Sequence, residues 1–307
     1  MSTETLVRVD PSEFATRRDA IESLDAAARA VSGHDALGDA IWRDLEAPGA
    51  DSVGFLIDGR AYVHVARDDS PTLRQRWNAG TIRMPDARDG ATTSALLDAA
   101  VAHVRAHGGG ALECWVFGAS EADDVSFHSS GFTPTRTLFE MRVALPLAEA
   151  PVWPPDVTVR TFERGRDEAD WLRVNNVAFH GHPDQGAWTS AVLEQRMAEP
   201  WFDPALFLLA FDREGLAGFN WLKVHDAREP DPELGEIYVI GVDPRAQGTG
   251  LGRALAIAGL DAVHERAVGI GMLFVAADNP GALALYRSLG FEVHRTDRAY
   301  ARDVSSA

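Results

Sequence analysis

An internal repeat constrains this 307-residue chain more than any other feature. Gly131-Phe132-x-x-x-Arg136-Thr137 returns as Gly290-Phe291-x-x-x-Arg295-Thr296, 159 positions later. At the same offset Pro85 meets Pro244, Ala87 meets Ala246, Leu96 meets Leu255, Gly110 meets Gly269 and Val116 meets Val275. One offset held without gaps from Pro85 to Thr137 points to tandem duplication of a whole folding unit. Between the copies, Pro146 to Pro155 carries four prolines in ten residues and no apolar period, which reads as an extended linker. The expected division is a first domain over residues 1–144, a linker over 145–156 and a second domain over 157–307.

The second copy gives the clearer local pattern. Val157–Phe162 alternates like a strand, and 167–179 and 190–198 have helical spacing. Segments 206–211 and 216–224 flank Asp212-Arg-Glu-Gly215, a hairpin signal. Residues 236–242 form an apolar strand, 252–267 an amphipathic helix, 272–276 a strand, 280–289 a helix, and a last strand starts at Phe291. Helices set among mostly sequential strands predict an α+β (mixed αβ) fold.

Bulk chemistry removes several function classes. A net charge of −17 argues against nucleic acid or an anionic membrane as partner, and it suits a cationic small molecule. No apolar run approaches the ~20 residues that span a bilayer. The start Met1-Ser2-Thr3-Glu4 lacks the basic and apolar stretch of a secretion signal, so a cytoplasmic protein is expected. The single cysteine, Cys114, excludes an internal disulfide and a multi-cysteine metal site. Among 29 basic residues Lys223 is the only lysine, which marks it as a candidate for a specific role.

The chemistry concentrates in Gly235 to Arg253, which runs from strand to glycine-rich turn to helix. Glycines at 248, 250 and 252 let successive backbone N–H groups line one concavity, and the following helix adds its unsatisfied donors and positive dipole end. Such a turn can hold a pyrophosphate. Taken alone it also fits a dinucleotide fold or a tight connection. A Rossmann unit requires an acidic residue about 20 positions on, after a second parallel strand, where this sequence is still helical. A P-loop requires Lys-Ser/Thr after the glycines, and none follows.

Two longer motifs narrow the choice. Val242-Asp-Pro followed by Gln247-x-x-Gly250-x-Gly252-x-x-Leu255 resembles the acetyl-CoA signature of the GNAT acetyltransferases. Asn279-Pro-Gly-Ala-Leu-Ala-Leu-Tyr286-Arg-Ser-Leu-Gly-Phe291 resembles that family's second signature, in the right order and spacing. The resemblance implies two tandem GNAT-like domains, each a central, mostly antiparallel sheet flanked by helices. It implies acetyl-CoA as co-substrate and no metal. A splayed strand at Ile240, Gly241 and Val242 would pair with the pantetheine arm. The turn Gln247, Gly248, Thr249, Gly250, Leu251, Gly252 and Arg253 would cradle the pyrophosphate, and Asn279, Pro280, Gly281, Ala282, Leu283 and Ala284 would complete the site.

Acetyl transfer to an ammonium group needs a base, and the departing thiolate benefits from an acid. Glu236 starts the strand entering the site and is the candidate base, directly or through water. Tyr286 occupies the place of the family's tyrosine acid. At the 159-residue offset Gln247 becomes Arg88, Gly250 becomes Ala91, Gly252 becomes Thr93, Glu236 becomes Trp77 and Tyr286 becomes Phe127. The first copy thus keeps packing residues and loses turn, base and acid together, so it is expected to be catalytically silent.

Beyond these signatures, Leu172-Arg-Val-Asn-Asn-Val-Ala-Phe179, Gly181-His-Pro-Asp-Gln-Gly186, Trp201-Phe-Asp-Pro204 and Trp221-x-Lys223-Val-His225 resemble the GNAT branch that completes mycothiol biosynthesis. That resemblance implies acetylation of the cysteinyl amine of a cysteinyl-glucosaminyl-inositol. It implies substrate contacts from Asp184, Lys223 and Glu236, with Asp39 contributed by the first copy. Where the branch has a tyrosine among these contacts this chain has Phe274. His182 and His225 lie in the same segments and are expected to make ordinary hydrogen bonds, not to bind metal. Expected partners are therefore acetyl-CoA and a small-molecule amine, on a monomer, with no nucleic acid and no membrane. Another small-molecule or peptide amine, or a non-catalytic acyl-CoA-binding module, are the alternatives.

Overall fold

The computed structural model describes residues 5–57, 59–68, 76–181, 185 and 187–306. In chain order it contains β1 (Val7–Val9), α1 (Phe14–Ser32), α2 (Asp39–Glu46), β2 (Val53–Ile57), β3 (Ala61–Arg67), β4 (Arg76–Arg83) and α3 (Gly90–Ala106). β5 (Gly110–Val116), α4 (Glu121–Ser129), β6 (Thr133–Ala144), β7 (Thr158–Thr161), α5 (Glu168–Ala178) and α6 (Ser190–Met197) follow. β8 (Phe207–Asp212), β9 (Gly215–His225), β10 (Leu234–Val242), α7 (Leu251–His264), β11 (Ile270–Ala276), α8 (Pro280–Ser288) and β12 (Glu292–Val304) complete it. The mixed α+β reading stands, and the predicted second-copy elements fall within a few residues of the observed ones. No helix among the described residues is long and apolar enough to cross a membrane.

Two compact units emerge from the packing. The first comprises 1–139, 276–278 and 295–307, and the second 140–275 and 279–294. In the first, neighbouring strands run β1-β2-β3-β4-β5-β12-β6, with β1 to β4 antiparallel, β4 parallel to β5 and β5 antiparallel to β12. In the second the order is β6-β11-β10-β9-β8-β7, with β10 parallel to β11 and β7 to β10 antiparallel. β12 lies antiparallel to β5, from Arg298↔Val116 to Val304↔Gly110.

Helices on both faces explain why the strands read as near-continuous apolar runs. In β2 and β3, Val53, Phe55, Ile57, Ala61, Val63 and Val65 pack on one face with Leu96 and Val101 of α3. Leu56 and Tyr62 turn to the other face, against Phe14, Ile21 and Leu24 of α1. In the second unit one face is aromatic: Trp171, Trp188, Phe207, Phe219 and Trp221 are buried together. Phe207 stacks on Trp221 at 4.5 Å and on Phe162 at 4.6 Å. Each such burial contributes about 1.5–3 kcal/mol, so β8 and β9 form a stiff platform. On the opposite face Leu251 and Leu255 of α7 pack on Ala210 and Ala217. The buried Asn220 amide of β9 donates to the Leu255 carbonyl at 2.9 Å, fixing α7 along the strand.

Candidate active site

The site grows from one change in strand pairing. β10 pairs with β9 along its whole length, from Leu234↔His225 to Val242↔Gly218. With β11 it pairs only at Gly235↔Gly271 and Glu236↔Met272. Beyond Glu236 the two parallel strands part, so the edge of β10 carrying Ile240, Gly241 and Val242 no longer pairs with β11. An unpaired strand edge is a template for an extended ligand with alternating amide groups. Val242 is followed by a 3-10 turn, Pro244–Ala246, and then by the glycine turn.

Gly248 and Gly250 have φ of +76° and +90°, a region that disfavours side chains, and a Cβ at either would meet nothing within 4 Å. The turn is therefore both strained for other residues and open. Gly250 is the N-cap of α7 and no side chain caps that terminus. The first intrahelical bond there is Ala254 N–H to the Gly250 carbonyl at 3.1 Å, which leaves the N–H groups of Leu251, Gly252 and Arg253 ahead of it. An uncapped, glycine-rich helix start with three forward donors fits a pyrophosphate. The Thr249 hydroxyl donates to the Ala246 carbonyl at 2.7 Å and the Gln247 amide to the Val242 carbonyl at 3.3 Å, bracing the turn. Arg253 instead reaches away, to Ser288 at 2.7 Å and Glu149.

The second motif forms the start of α8. The Asn279 side chain accepts the Ala282 N–H at 3.1 Å, Pro280 takes the first helical position with Gly281 after it, and Leu283 is buried with Ala284 beyond. One turn further, Tyr286 is buried against Phe291, ring centroids 5.6 Å apart. Burial pushes its phenol up to about 12, so it holds its proton at neutral pH.

At the point where the strands part, Glu236 is 7% exposed, and its Oε2 accepts a 2.7 Å hydrogen bond from Nε2 of His225. Glu236 stands directly opposite Lys223 in the β9–β10 register, so both project to one face, as does His225 two residues on. Tyr238 follows Glu236 on that face, and a bulge between Ile237 and Val239 shifts the register so that Val239, opposite Trp221, joins it. Tyr238 packs on Trp201 at 4.9 Å, and the Lys223 ammonium sits 5.0 Å from the Trp201 ring centre. A carboxylate, an imidazole, a cation and an aromatic wall thus converge.

The remaining predicted contacts are less gathered. Phe274 lies on β11 and is 43% exposed. Asp184 and His182 lie outside the described residues. Further along the chain, the Asn175 amide donates to the Gln185 carbonyl at 3.0 Å, and Asn176 bonds Trp188 through both its amide N–H and its carbonyl. Asp39 belongs to the first unit, as the exposed first residue of α2. The His225–Glu236 pair is what sequence reasoning missed, although the Trp-x-Lys-x-His alternation already put Lys223 and His225 on one face. Among the described residues no cluster of His, Cys, Asp or Glu could hold a metal. A separate cleft of about 570 Å³, lined by Arg164, Glu168, Leu193 and Glu194, shares none of these residues.

The corresponding place in the first unit is filled. Arg83, twin of Val242, is buried and pairs with Asp123, twin of Ala282, at 2.7 Å. The Arg83 guanidinium also donates to Thr93, twin of Gly252, at 3.2 Å and lies over Phe127, twin of Tyr286. Burial alone would raise the Asp123 carboxyl, but Arg83, Ser120 and Arg88 outweigh it and hold it below the usual carboxylate range. Here β4 and β5 stay paired for five residues, Arg76↔Ala111 to Gly80↔Trp115.

Comparison with known proteins agrees with this geometry. The acetyltransferase (GNAT) family model matches residues 170–291. The chain is 41% identical over 298 residues to the mycothiol acetyltransferase of Mycolicibacterium gilvum, covering 92% of this chain and 93% of that protein. It is 36% identical over 314 residues to that of Mycobacterium marinum, covering 92% of each. Among solved structures, a GCN5-related N-acetyltransferase from Sphaerobacter thermophilus superposes with a TM-score of 0.73 at 21% identity, over 98% of this chain and 96% of that one. A tandem GNAT protein from the clavulanic acid pathway gives 0.66 at 14% identity, over 99% of both. These two speak for the fold alone. With the relatives' identity sustained along nearly the whole chain, the protein belongs to the mycothiol acetyltransferase family, tandem GNAT proteins that are acetyl-CoA-dependent N-acetyltransferases.

Proposed function

We propose that the second unit moves acetyl from acetyl-CoA to the cysteinyl amine of a cysteinyl-glucosaminyl-inositol, the closing step of mycothiol biosynthesis, and that the first unit is catalytically silent. The observation that carries this reading is the parting of β10 from β11 at Glu236, which sets a carboxylate where an open strand edge begins. The names borne by the relatives support the acceptor.

In this reading the edge at Ile240–Val242 aligns the acyl-pantetheine arm, while the 247–253 turn and the start of α8 hold the nucleotide end. Glu236 takes a proton from the acceptor ammonium, directly or through one water. The freed nitrogen attacks the thioester carbon, the carbon–sulfur bond breaks, and the sulfur receives the Tyr286 proton. A backbone N–H near Val242 polarises the carbonyl oxygen. Lys223 serves the acceptor's hydroxyl or carbonyl oxygens, and Asp184 its polar groups. Phe274 offers an apolar face in place of a hydroxyl.

Release of free CoA thiol tests the reading directly. Purified protein with acetyl-CoA and the cysteinyl pseudodisaccharide is expected to release CoA in step with acceptor acetylation. Release with other amines but none with this one would overturn the acceptor assignment. Isothermal titration is expected to count one acetyl-CoA per chain; a count of two would mean that the first unit binds the co-substrate as well.

A further inference from the structure

Glu236 is a poor base unless something fixes it. Its carboxylate is 7% exposed, beside the aromatic wall of Trp201, Trp221 and Tyr238, where a carboxylate with no partner could rotate. Among the described residues, the ring aimed at it is His225, whose Nε2 lies 2.7 Å from Oε2. An ionised carboxylate only accepts, so the proton in that bond belongs to Nε2. The bond crosses the β9–β10 pair diagonally, between residues on the same face, and leaves Oε1 for another partner. The imidazole is 33% exposed, so it links a buried carboxylate to solvent.

We propose that His225 is a positioning residue of the acetyl transfer: its Nε2–H holds Oε2 so that Oε1 meets the acceptor ammonium. The inference rests on the reading of Glu236 as base. In the step, the ammonium N–H bond breaks and the proton goes to Oε1. The nitrogen lone pair forms the amide bond as the carbon–sulfur bond breaks, and the Tyr286 proton goes to sulfur. His225 keeps its own proton throughout. Lys223, on the same face of β9, carries the charge closest in register to the pair, and its place opposite Glu236 keeps that face suited to an ionised carboxylate.

Steady-state CoA release by intact protein tests this with His225→Phe, which fills the ring's space without a donor, and His225→Gln, which restores an N–H. His225→Phe is expected to lower kcat about 10- to 100-fold, below the full contribution of a general base, with KM for acetyl-CoA and the melting temperature little changed. His225→Gln is expected to recover most of that loss. In a Glu236→Gln background, His225→Phe is expected to add nothing, because one residue acts through the other. A wild-type kcat in His225→Phe, equal losses in the Phe and Gln variants, or losses that multiply with Glu236→Gln would each overturn the proposal. If His225→Phe does not fold, His225→Gln decides: slow turnover by that folded variant overturns the proposal and near-wild-type turnover supports it. Failure of the base reading has its own signature, unimpaired turnover by Glu236→Gln alone.

Discussion

The two copies use one strand arrangement to opposite ends. In the second unit β10 leaves β11 after two residue pairs, and a glycine turn faces the gap. In the first, β4 stays with β5 for five, and an arginine from the end of β4 closes the space. Trp77, twin of Glu236, is fully buried and gives its indole N–H to the Gly109 carbonyl at 3.0 Å. A pocket for a ligand is thus a place where the fold declines to finish its own pairing. The first copy has finished it, with Arg83 and Asp123 as the filling.

The comparison breaks most visibly at Glu236. Glu236→Gln is expected to lower kcat by about 10²- to 10⁴-fold while acetyl-CoA binding, measured by titration calorimetry, stays near wild type. Equal loss of binding would make Glu236 part of the cradle instead. Next comes the filling. Arg83→Ala leaves Asp123 buried without its main partner and is expected to cost about 3–5 kcal/mol of stability in denaturant unfolding. The kcat of the folded fraction should not change.

A smaller effect is expected from Gly250→Ala, which writes the first copy's Ala91 into the second. At φ +90° an alanine is strained by roughly 1–2 kcal/mol, so acetyl-CoA affinity should fall about tenfold in the same titration; an unchanged affinity would mean the turn does not hold the cofactor. The last two effects lie in pH. Asp123 has a lowered carboxyl, so its contribution is present above the ordinary carboxylate range and lost as pH falls through the folded value. Unfolding midpoints should therefore drop below pH 4 in wild type, and less so in Asp123→Asn. Tyr286 has a raised phenol, so it stays protonated until about 12. Wild type and Tyr286→Phe should give the same tyrosinate absorbance change between pH 9 and 11; a difference there would place its titration lower.

Much of this could be read from the sequence because it is local. Helix and strand periods, the Asp212–Gly215 hairpin and the Gly248–Gly252 turn depend on neighbours a few residues apart. The 159-residue offset even identified which copy lost its turn. What stayed hidden depends on pairs far apart in the chain. Arg83 and Asp123 are forty positions apart, and nothing in the helical period of α4 marks Asp123 as an inward carboxylate. His225 finds Glu236 only through the β9–β10 register, and one slipped residue would have put them on opposite faces. The bulge at Tyr238 shifts that register again and has no local signature.

β12 shows the same limit on a larger scale, with a consequence for how the protein is made. Residues 298–304 line the edge of β5, so the first half emerging from the ribosome cannot close its own sheet. Domains usually fold in order of synthesis. Here Gly110–Val116 must wait, with its backbone groups open to any passing strand, until Arg298–Val304 have been made. A premature stop before Arg295 would damage the end of the chain made first.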